Sequence, residues 1–277
     1  MTVRPFLSSC DRLINNINLN GEQNKMEVRN IRIQLALFFC FLLAGTSSAA
    51  WSAGTVDHSI YGALLGKYVK NGVVDYAGLR REEDAVNLYL DQLEDIDTQD
   101  LPKNEQLAFY INAYNAKAIK VVLMGYPGIK SIKEMGSLWG SPWRKRLGRI
   151  DGELMSLDDI EHQIIRARFK DPRTHFALNC ASRSCPPLLS EPYRGDVLDR
   201  QLDSSARAFI NDPLSNDLEA DTLYVSKIFY WYEGDFQEGV LGFFMKFAEP
   251  NLKKQLEERA DRIKIEYLDY DWSLNGK

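Results

Sequence analysis

The chain has 277 residues, a formal net charge of −5 at pH 7 and a hydrophobic content of 45%. This length suits one sizeable domain or at most two, and the composition excludes a wholly disordered chain. The acidic balance makes nucleic acid a poor partner, because a nucleic-acid-binding surface needs an excess of basic side chains.

The N-terminal segment has the layout of an export signal. Arg29 and Arg32 precede the apolar stretch 33–45, and small residues follow up to Ala50. A basic start, a short apolar centre and a small-residue cleavage site are typical of a secretory signal peptide. The apolar stretch is short for a membrane-spanning helix, which needs roughly 20 residues. The sequence therefore predicts a signal peptide over 26–50, cut near Ala50, and a periplasmic or secreted protein.

Residues 1–25 precede this signal and are polar without a helical or strand pattern. Since Met26 begins a complete signal by itself, we interpret 1–25 as a non-native leader and Met26 as the true start. Cleavage leaves one predicted domain over 51–277 without a stable membrane span; the alternative is an uncleaved membrane anchor. The first 50 residues hold five Lys/Arg and three Asp/Glu, so the remaining chain has a net charge of −7.

Helices and short strands alternate irregularly in the predicted domain. Apolar spacings of three and four predict helices over 57–69, 82–96, 101–127, 156–169, 196–212 and 236–248. Stretches rich in β-branched and aromatic residues predict strands over 73–76, 175–180, 223–232 and 262–272. Asp151-Gly152 predicts a hairpin turn between the stretches 146–150 and 153–157.

The segment 101–127 is apolar on nearly all sides, which predicts a buried helix, yet it carries a polar line. Glu105, Asn112 and Asn115 recur at helical spacing along it. A buried amide without a hydrogen-bond partner costs roughly 1–3 kcal/mol. Two interpretations are open: a structural network that ties loops to the helix, or side chains that face a site.

The segment 156–169 places two titratable side chains together. Ser156 and Asp159 resemble a capping box, which favours a helix start at that point. Glu161 falls on the apolar side of this helix and His162 on its flank. A structural hydrogen bond and a role as catalytic base are both open for His162.

Cys180 and Cys185 are the only cysteines left once Cys10 and Cys40 depart with the leader. An oxidising compartment favours a disulfide between them. So small a loop adds only ~2 kcal/mol by the chain-entropy estimate.

A nucleophilic Cys180 is the second interpretation, and it needs a base or a cation nearby. In a strand over 175–180, side-chain alternation puts His175 and Cys180 on opposite faces, about 16 Å apart. His162 is therefore the preferred base, with Glu161 or Asp235 to orient it. Arg183 is a candidate for holding an anionic substrate.

A metal site is the third interpretation of this segment. His175, Cys180 and Cys185 are suitable ligand types, but their spacing is loose and no fourth ligand is evident. We therefore predict no metal and no cofactor.

Several stretches together resemble one known family. They are GVVDYAGL, EQLAFYINAYNA, SLDDIEH, HFALNCASRSCPPL, VSKIFYWY and YLDYDWSLN. Across nearly all of 51–277 the chain resembles the family called domain of unknown function 547, whose members look like exported bacterial proteins and plant proteins with additional modules. The resemblance implies no particular chemistry, so the functional hypotheses depend on the residues themselves.

The interleaved pattern predicts an α+β fold, a single globular domain with a buried central helix packed on a small mixed or antiparallel sheet. One functional hypothesis is a thiol-dependent hydrolase or acyl transferase. Its catalytic residues would be Cys180, His162 and Glu161.

In this hypothesis Asn112, Asn115 and Arg183 would bind the substrate. The other hypothesis is a non-enzymatic cell-envelope binding or scaffold protein with a structural Cys180–Cys185 disulfide. The expected partner is accordingly a small molecule or an envelope protein.

Overall fold

Helices make up most of the described chain, which comprises residues 54–136 and 140–277 of a computed structural model. The α-helices are α1 (Ser59–Tyr68), α2 (Tyr76–Arg81), α3 (Glu83–Glu94), α4 (Lys103–Leu123), α5 (Leu198–Ile210), α6 (Ile228–Trp231), α7 (Gly239–Phe247) and α8 (Pro250–Glu257). A further helix, Asp159–Phe169, has π-helical hydrogen bonding and is called the π-helix below. Short 3-10 turns cover Thr98–Asp100, Ile132–Met135, Pro142–Arg144, Pro172–Phe176 and Glu233–Asp235. The predicted leader, signal and cleavage site lie outside the described residues.

The strands of the described residues form three small sheets. They are β1 (Val69–Lys70) with β2 (Val73–Val74), β3 (Arg149–Ile150) with β4 (Glu153–Leu154), and β5 (Asp217–Glu219), β6 (Thr222–Val225) and β7 (Lys264–Tyr267). In the third sheet β5 and β6 are antiparallel, whereas β6 and β7 are parallel. The predicted α+β class is confirmed, and this sheet is mixed.

The hairpin of β3 and β4 turns at Asp151 and Gly152, as the sequence predicts. Both residues have positive φ, 51° and 79°. A two-residue hairpin loop of this kind needs positive φ at both positions, which favours the Asp-Gly pair.

The central helix α4 is buried along nearly its whole length, as predicted. It packs against α2, α3, α5 and the π-helix. The apolar residues of α4 belong to one core cluster, whereas Leu223 and Val225 of β6 belong to a second cluster with α7. The helix is therefore surrounded mainly by other helices, and the mixed sheet builds a separate part of the core.

The polar line of α4 holds distant backbone segments. Glu105 accepts the N–H groups of Val56 and Gly195, at 2.9 and 2.7 Å. Asn112 donates to the Tyr193 carbonyl at 2.8 Å and accepts the Tyr193 N–H at 2.9 Å. These contacts give buried backbone groups the partners that they need away from water.

Asn115 does the same for the chain that leads to Cys180. Its side chain donates to the Ala177 carbonyl at 2.9 Å and accepts the Asn179 N–H at 2.8 Å. The position of both α4 asparagines therefore supports the structural-network interpretation.

The predicted strand over 175–180 is wrong. Residues Pro172–Phe176 form a 3-10 turn, and no strand follows before Cys180. Asp171 caps this turn by accepting the Arg173 N–H, and a proline in the first turn favours a helical start. Asn115 supplies the backbone contacts that a neighbouring strand would otherwise make. The side-chain alternation that separated His175 from Cys180 therefore does not apply.

The predicted strand over 223–232 is only partly correct. β6 ends at Val225, and Ile228–Trp231 forms the short helix α6. The Ser226 hydroxyl accepts the Ile228 N–H at 3.4 Å. This local side-chain contact favours a turn over continued strand pairing.

Replacing Asn115 tests whether α4 anchors the segment before Cys180. We expect Asn115→Ala to lower the free energy of unfolding by about 2–4 kcal/mol, because it leaves the Asn179 N–H and the Ala177 carbonyl buried without partners. Urea titration measures the change. The matched control is Asn104→Ala at the exposed start of the same helix, which should change stability by less than about 0.5 kcal/mol. Equal losses in the two variants would contradict the anchoring role.

Candidate functional site

A cleft with a volume of about 420 Å³ lies between the π-helix, the cysteine loop and the chain around α6 and the C-terminal segment. Its polar lining comprises Lys133, Asp158, Glu161, His162 and His175. Its aromatic lining comprises Tyr114, Trp143, Trp231, Tyr232, Tyr270 and Trp272. Cys180 and Cys185 lie in the same wall, so the cleft brings titratable groups, aromatic rings and sulfur atoms together.

Cys180 and Cys185 form a disulfide, with their Cα atoms 6.1 Å apart. Ala181, directly after Cys180, has a φ of 63°, a left-handed conformation that is unfavourable for a residue with a Cβ. The Asn179 side chain accepts the Ala181 N–H at 2.9 Å and donates to the Pro186 carbonyl at 2.7 Å. These contacts hold the strained turn on both sides of the disulfide.

His175 and Asp235 form a hydrogen-bonded pair at the cleft. His175 Nε2 lies 2.7 Å from Asp235 Oδ2, and the His175 ring stacks on Tyr232 with ring centroids 4.1 Å apart. Arg166 donates to both oxygens of Asp235, at 2.6 and 3.0 Å. The carboxylate thus orients a buried imidazole that lines the cleft, the arrangement by which a carboxylate fixes a histidine base.

These contacts also stabilise the charge on Asp235. The hydrogen bond from His175, followed by those from Arg166, holds the pKa of Asp235 well below its usual range. Burial acts in the opposite direction but is outweighed, because the charged carboxylate has two strong donors.

Glu161 is a buried carboxylate whose neighbours are tyrosines. The Tyr232 hydroxyl donates to Glu161 Oε1 at 2.6 Å, and burial with the nearby Glu161 charge raises the pKa of Tyr114 well above its usual value. Burial, together with the nearby negative charge, raises the pKa of Tyr232 well above its usual value. Both hydroxyls therefore remain protonated, and that of Tyr232 is the donor to the carboxylate.

Four aromatic side chains form a contiguous wall, called the aromatic wall below: Trp143, Trp231, Tyr270 and Trp272. Trp272 contacts the other three rings, with centroid distances of 5.5, 5.6 and 4.5 Å. Trp231 is 40% exposed although it is large and apolar. Lys133 places its ammonium group 3.9 Å from the Trp272 ring centroid. The wall therefore offers a flat apolar surface beside a positive charge.

Of the predicted catalytic residues, Cys180, His162 and Glu161 all line the cleft. His162 Nδ1 lies 3.2 Å from Arg166 Nη1 and 4.0 Å from Glu161 Oε1. The nearest hydrogen-bonding groups to Cys180 Sγ are hydroxyls of the protein rather than an imidazole. The predicted disulfide alternative for the cysteines is the state that the structure shows.

The predicted substrate-binding residues lie elsewhere. Asn112 and Asn115 are buried against backbone groups, and neither lines the cleft. Arg183 is exposed, and its backbone N–H donates to the Ser273 carbonyl at 2.8 Å. None of these three side chains is among those that surround the cleft.

Sequence reasoning missed the partnership of His175 with Asp235 and the whole aromatic wall. The sequence indicates Asp235 only as an alternative partner of His162, and the predicted strand separates His175 from Cys180. The stretches that contain Trp231 and Trp272 stood out as landmarks, and their density of aromatic residues was the available signal.

Residues 98–210 match the family described as "Protein of unknown function, DUF547". The chain carries a DUF547 domain. The match contains α4, the π-helix and the disulfide loop, whereas Asp235 and most of the aromatic wall come from residues beyond it. Comparison with curated proteins gave no match, and neither did comparison with solved structures.

Within residues 54–136 and 140–277, no three His, Cys, Asp or Glu side chains are grouped so that they could hold a metal ion. No helix within the same ranges is both long and apolar enough to cross a membrane.

The His175–Asp235 pair predicts a specific pH dependence of stability. An unfolded aspartate takes up its proton near pH 4, whereas folded Asp235 does so at a lower pH. The stability from this carboxylate is therefore complete above about pH 4 and is lost as the pH falls below that value. We expect Asp235→Asn to destabilise the protein by about 1–3 kcal/mol at pH 7 and to flatten the loss below pH 4.

Urea unfolding between pH 7 and pH 2 measures both effects. The control is Asp261→Asn at an exposed position, which should follow the native protein at every pH. If Asp235→Asn loses stability below pH 4 as steeply as the native protein does, another group causes that loss.

Proposed function

We propose that this DUF547-domain protein is a binding protein that takes a small organic ligand into the cleft. The observation that carries the proposal is the partly exposed aromatic wall inside a concave site. The volume of the cleft falls in the range of small-molecule sites, roughly 300–1,000 Å³. A ligand with a flat apolar face would cover rings that otherwise contact water, which is favourable by the hydrophobic effect.

The charged side chains at the cleft indicate which charge the ligand carries. Glu161 and Asp235 are occupied by donors from the protein, and Asp158 lies 3.3 Å from Arg144. Lys133 stands over the aromatic wall, where it can meet an anionic substituent. An aromatic anion is therefore the ligand type that combines both features.

We also propose that the protein acts outside the cytoplasm, in the cell envelope or secreted. The signal-like segment 26–50 supports this, and so does a disulfide, which persists mainly in oxidising compartments. Expressed in a bacterial host, the exported chain should begin near residue 51 when its intact mass is measured. A chain retained in the cytoplasm with its N-terminus intact would rule export out.

Binding of the aromatic anion anilinonaphthalene sulfonate tests the ligand proposal. We expect saturable binding to the folded protein, followed by the probe's fluorescence, and a loss of affinity of at least about tenfold in Trp231→Ala. The loss follows because stacking and burial of one large ring contribute on the order of 1–3 kcal/mol. Trp231 lines the cleft and is half-exposed.

The matched control is Tyr230→Ala, which removes the neighbouring exposed ring on α6 outside the cleft lining. This variant should bind the probe like the native protein. Equal effects of the two substitutions, or no saturable binding at all, would refute the proposal.

A second candidate function is a thiol-dependent hydrolase or acyl transferase with Cys180 as nucleophile. The observation that favours it is the oriented His175–Asp235 pair in the same cleft as Cys180. Because the native bond joins Cys180 to Cys185, this activity requires reduction first. The structure makes His175 a second candidate base beside His162.

Alkylation of Cys180 by iodoacetamide in the Cys185→Ser variant tests this candidate. If His175 is the base, adding His175→Ala should slow the reaction at pH 7 about tenfold, because less of the thiol is ionised. Adding His162→Ala instead is the comparison and should have a smaller effect. A rate equal to that of a simple thiol in all three variants would exclude an activated nucleophile.

A further inference from the structure

Two hydroxyl groups lie within hydrogen-bond distance of both sulfur atoms of the disulfide. Ser182 Oγ is 3.2 Å from each sulfur. The Tyr270 oxygen is 3.4 Å from Cys180 Sγ and 3.3 Å from Cys185 Sγ. In addition, the Cys180 N–H donates to Cys185 Sγ at 2.9 Å.

These donors suit a charged sulfur better than a bonded one. A disulfide sulfur is a weak acceptor, whereas hydrogen bonds to an ionised group are roughly twice as strong as neutral ones. Each hydroxyl has a single proton, which it can direct to either sulfur by rotation. The pair can therefore stabilise a thiolate on Cys185 or on Cys180.

We propose that the Cys180–Cys185 disulfide undergoes thiol–disulfide exchange with small dithiols that enter the cleft. This activity goes beyond ligand binding and does not depend on the aromatic-anion proposal. It also differs from the hydrolase candidate, because the bond itself is the reactant.

The first step is attack on Cys180, which is the more exposed cysteine, whereas Cys185 is 8% exposed. A substrate thiolate forms a bond to Cys180 Sγ, and the Cys180–Cys185 bond breaks. Its electron pair moves to Cys185 Sγ, which becomes a thiolate held by the Cys180 N–H and the two hydroxyls. Stabilising the departing thiolate speeds this kind of exchange.

In the second step the other thiolate of the dithiol attacks its partner sulfur in the mixed disulfide. The bond to Cys180 breaks, and Cys180 Sγ leaves as a thiolate, toward which the hydroxyls can turn. The dithiol has then lost two electrons and two protons and become a disulfide. The protein has gained these two electrons and two protons, and its disulfide has become two cysteine thiols.

The loop can keep its shape after the bond is broken. The C-terminal segment braces it through three backbone bonds: Arg183 N–H to the Ser273 carbonyl, Ser184 N–H to the Asp271 carbonyl, and Asn275 N–H to the Ala181 carbonyl. Their lengths are 2.8, 3.2 and 3.1 Å. Because none of these bonds involves sulfur, the donors remain in place around the reduced cysteines.

Tyr270 is suited to act as a donor throughout. Burial raises the pKa of its hydroxyl well above its usual value. The hydroxyl therefore keeps its proton over the pH range in which thiols react.

Reduction of the folded full chain by dithiothreitol tests the proposal. Maleimide trapping and intact mass follow the two released thiols over time. We expect Ser182→Ala and Tyr270→Phe each to slow reduction about tenfold, because each removes a donor to the departing thiolate. The controls Ser190→Ala and Tyr267→Phe remove exposed hydroxyls elsewhere and should keep the native rate.

A pH titration of the reduced protein gives a readout that a merely structural role would not change. Ultraviolet absorbance of the thiolate should show one cysteine ionising well below the ordinary value of about 8.5, and Tyr270→Phe should raise that value. If Ser182→Ala does not fold, the reduction rate of Tyr270→Phe and the thiol titration of the native protein still test the proposal. Reduction of both hydroxyl variants at the native rate, or an ordinary pKa for both thiols, would overturn the proposal. Neither outcome would bear on the binding of anilinonaphthalene sulfonate, which tests the ligand proposal separately.

Discussion

The pair of hydrogen bonds from Asn115 fixes the chain on which the cleft depends. One buried amide binds the Ala177 carbonyl and the Asn179 N–H, immediately before Cys180. These bonds join the segment that carries His175 and Cys180 to α4, the most buried helix among the described residues. Since an unmatched buried amide is costly, the segment has little freedom to move away from α4. The position of α4 therefore determines where the imidazole and the disulfide lie.

Local patterns in the sequence predicted much of the fold. The apolar periodicity of α4, the Asp-Gly turn and the Ser156–Asp159 cap all involve residues close in the chain, so their physical basis is visible in sequence. The same reasoning failed for the 3-10 turn that carries His175. In isolation, the six residues HFALNC fit a strand as well as they fit the turn and loop that they form. A tertiary contact with Asn115, about 60 residues away, decides the conformation.

The site was less predictable than the fold for the same reason. The His175–Asp235 pair joins residues 60 positions apart, and the aromatic wall brings Trp143 to Trp272 across most of the domain. Charge and aromatic content were visible in sequence, but the pairing of particular side chains depends on packing. Some cleft residues lie within the family match and others lie beyond it. Folding alone brings the two groups together.

The disulfide contributes little that the fold does not already secure. Closing a loop of about six residues stabilises the folded state by only ~2 kcal/mol in the chain-entropy estimate. The same loop is held by the side chain of Asn179 and by backbone bonds to the C-terminal segment. A purely stabilising role of the disulfide therefore explains poorly why Ala181 is left-handed. It also explains poorly why two hydroxyls lie 3.2–3.4 Å from both sulfurs. Backbone strain and converging donors at a disulfide that lines a cleft are typical of a reacting group rather than of a passive link.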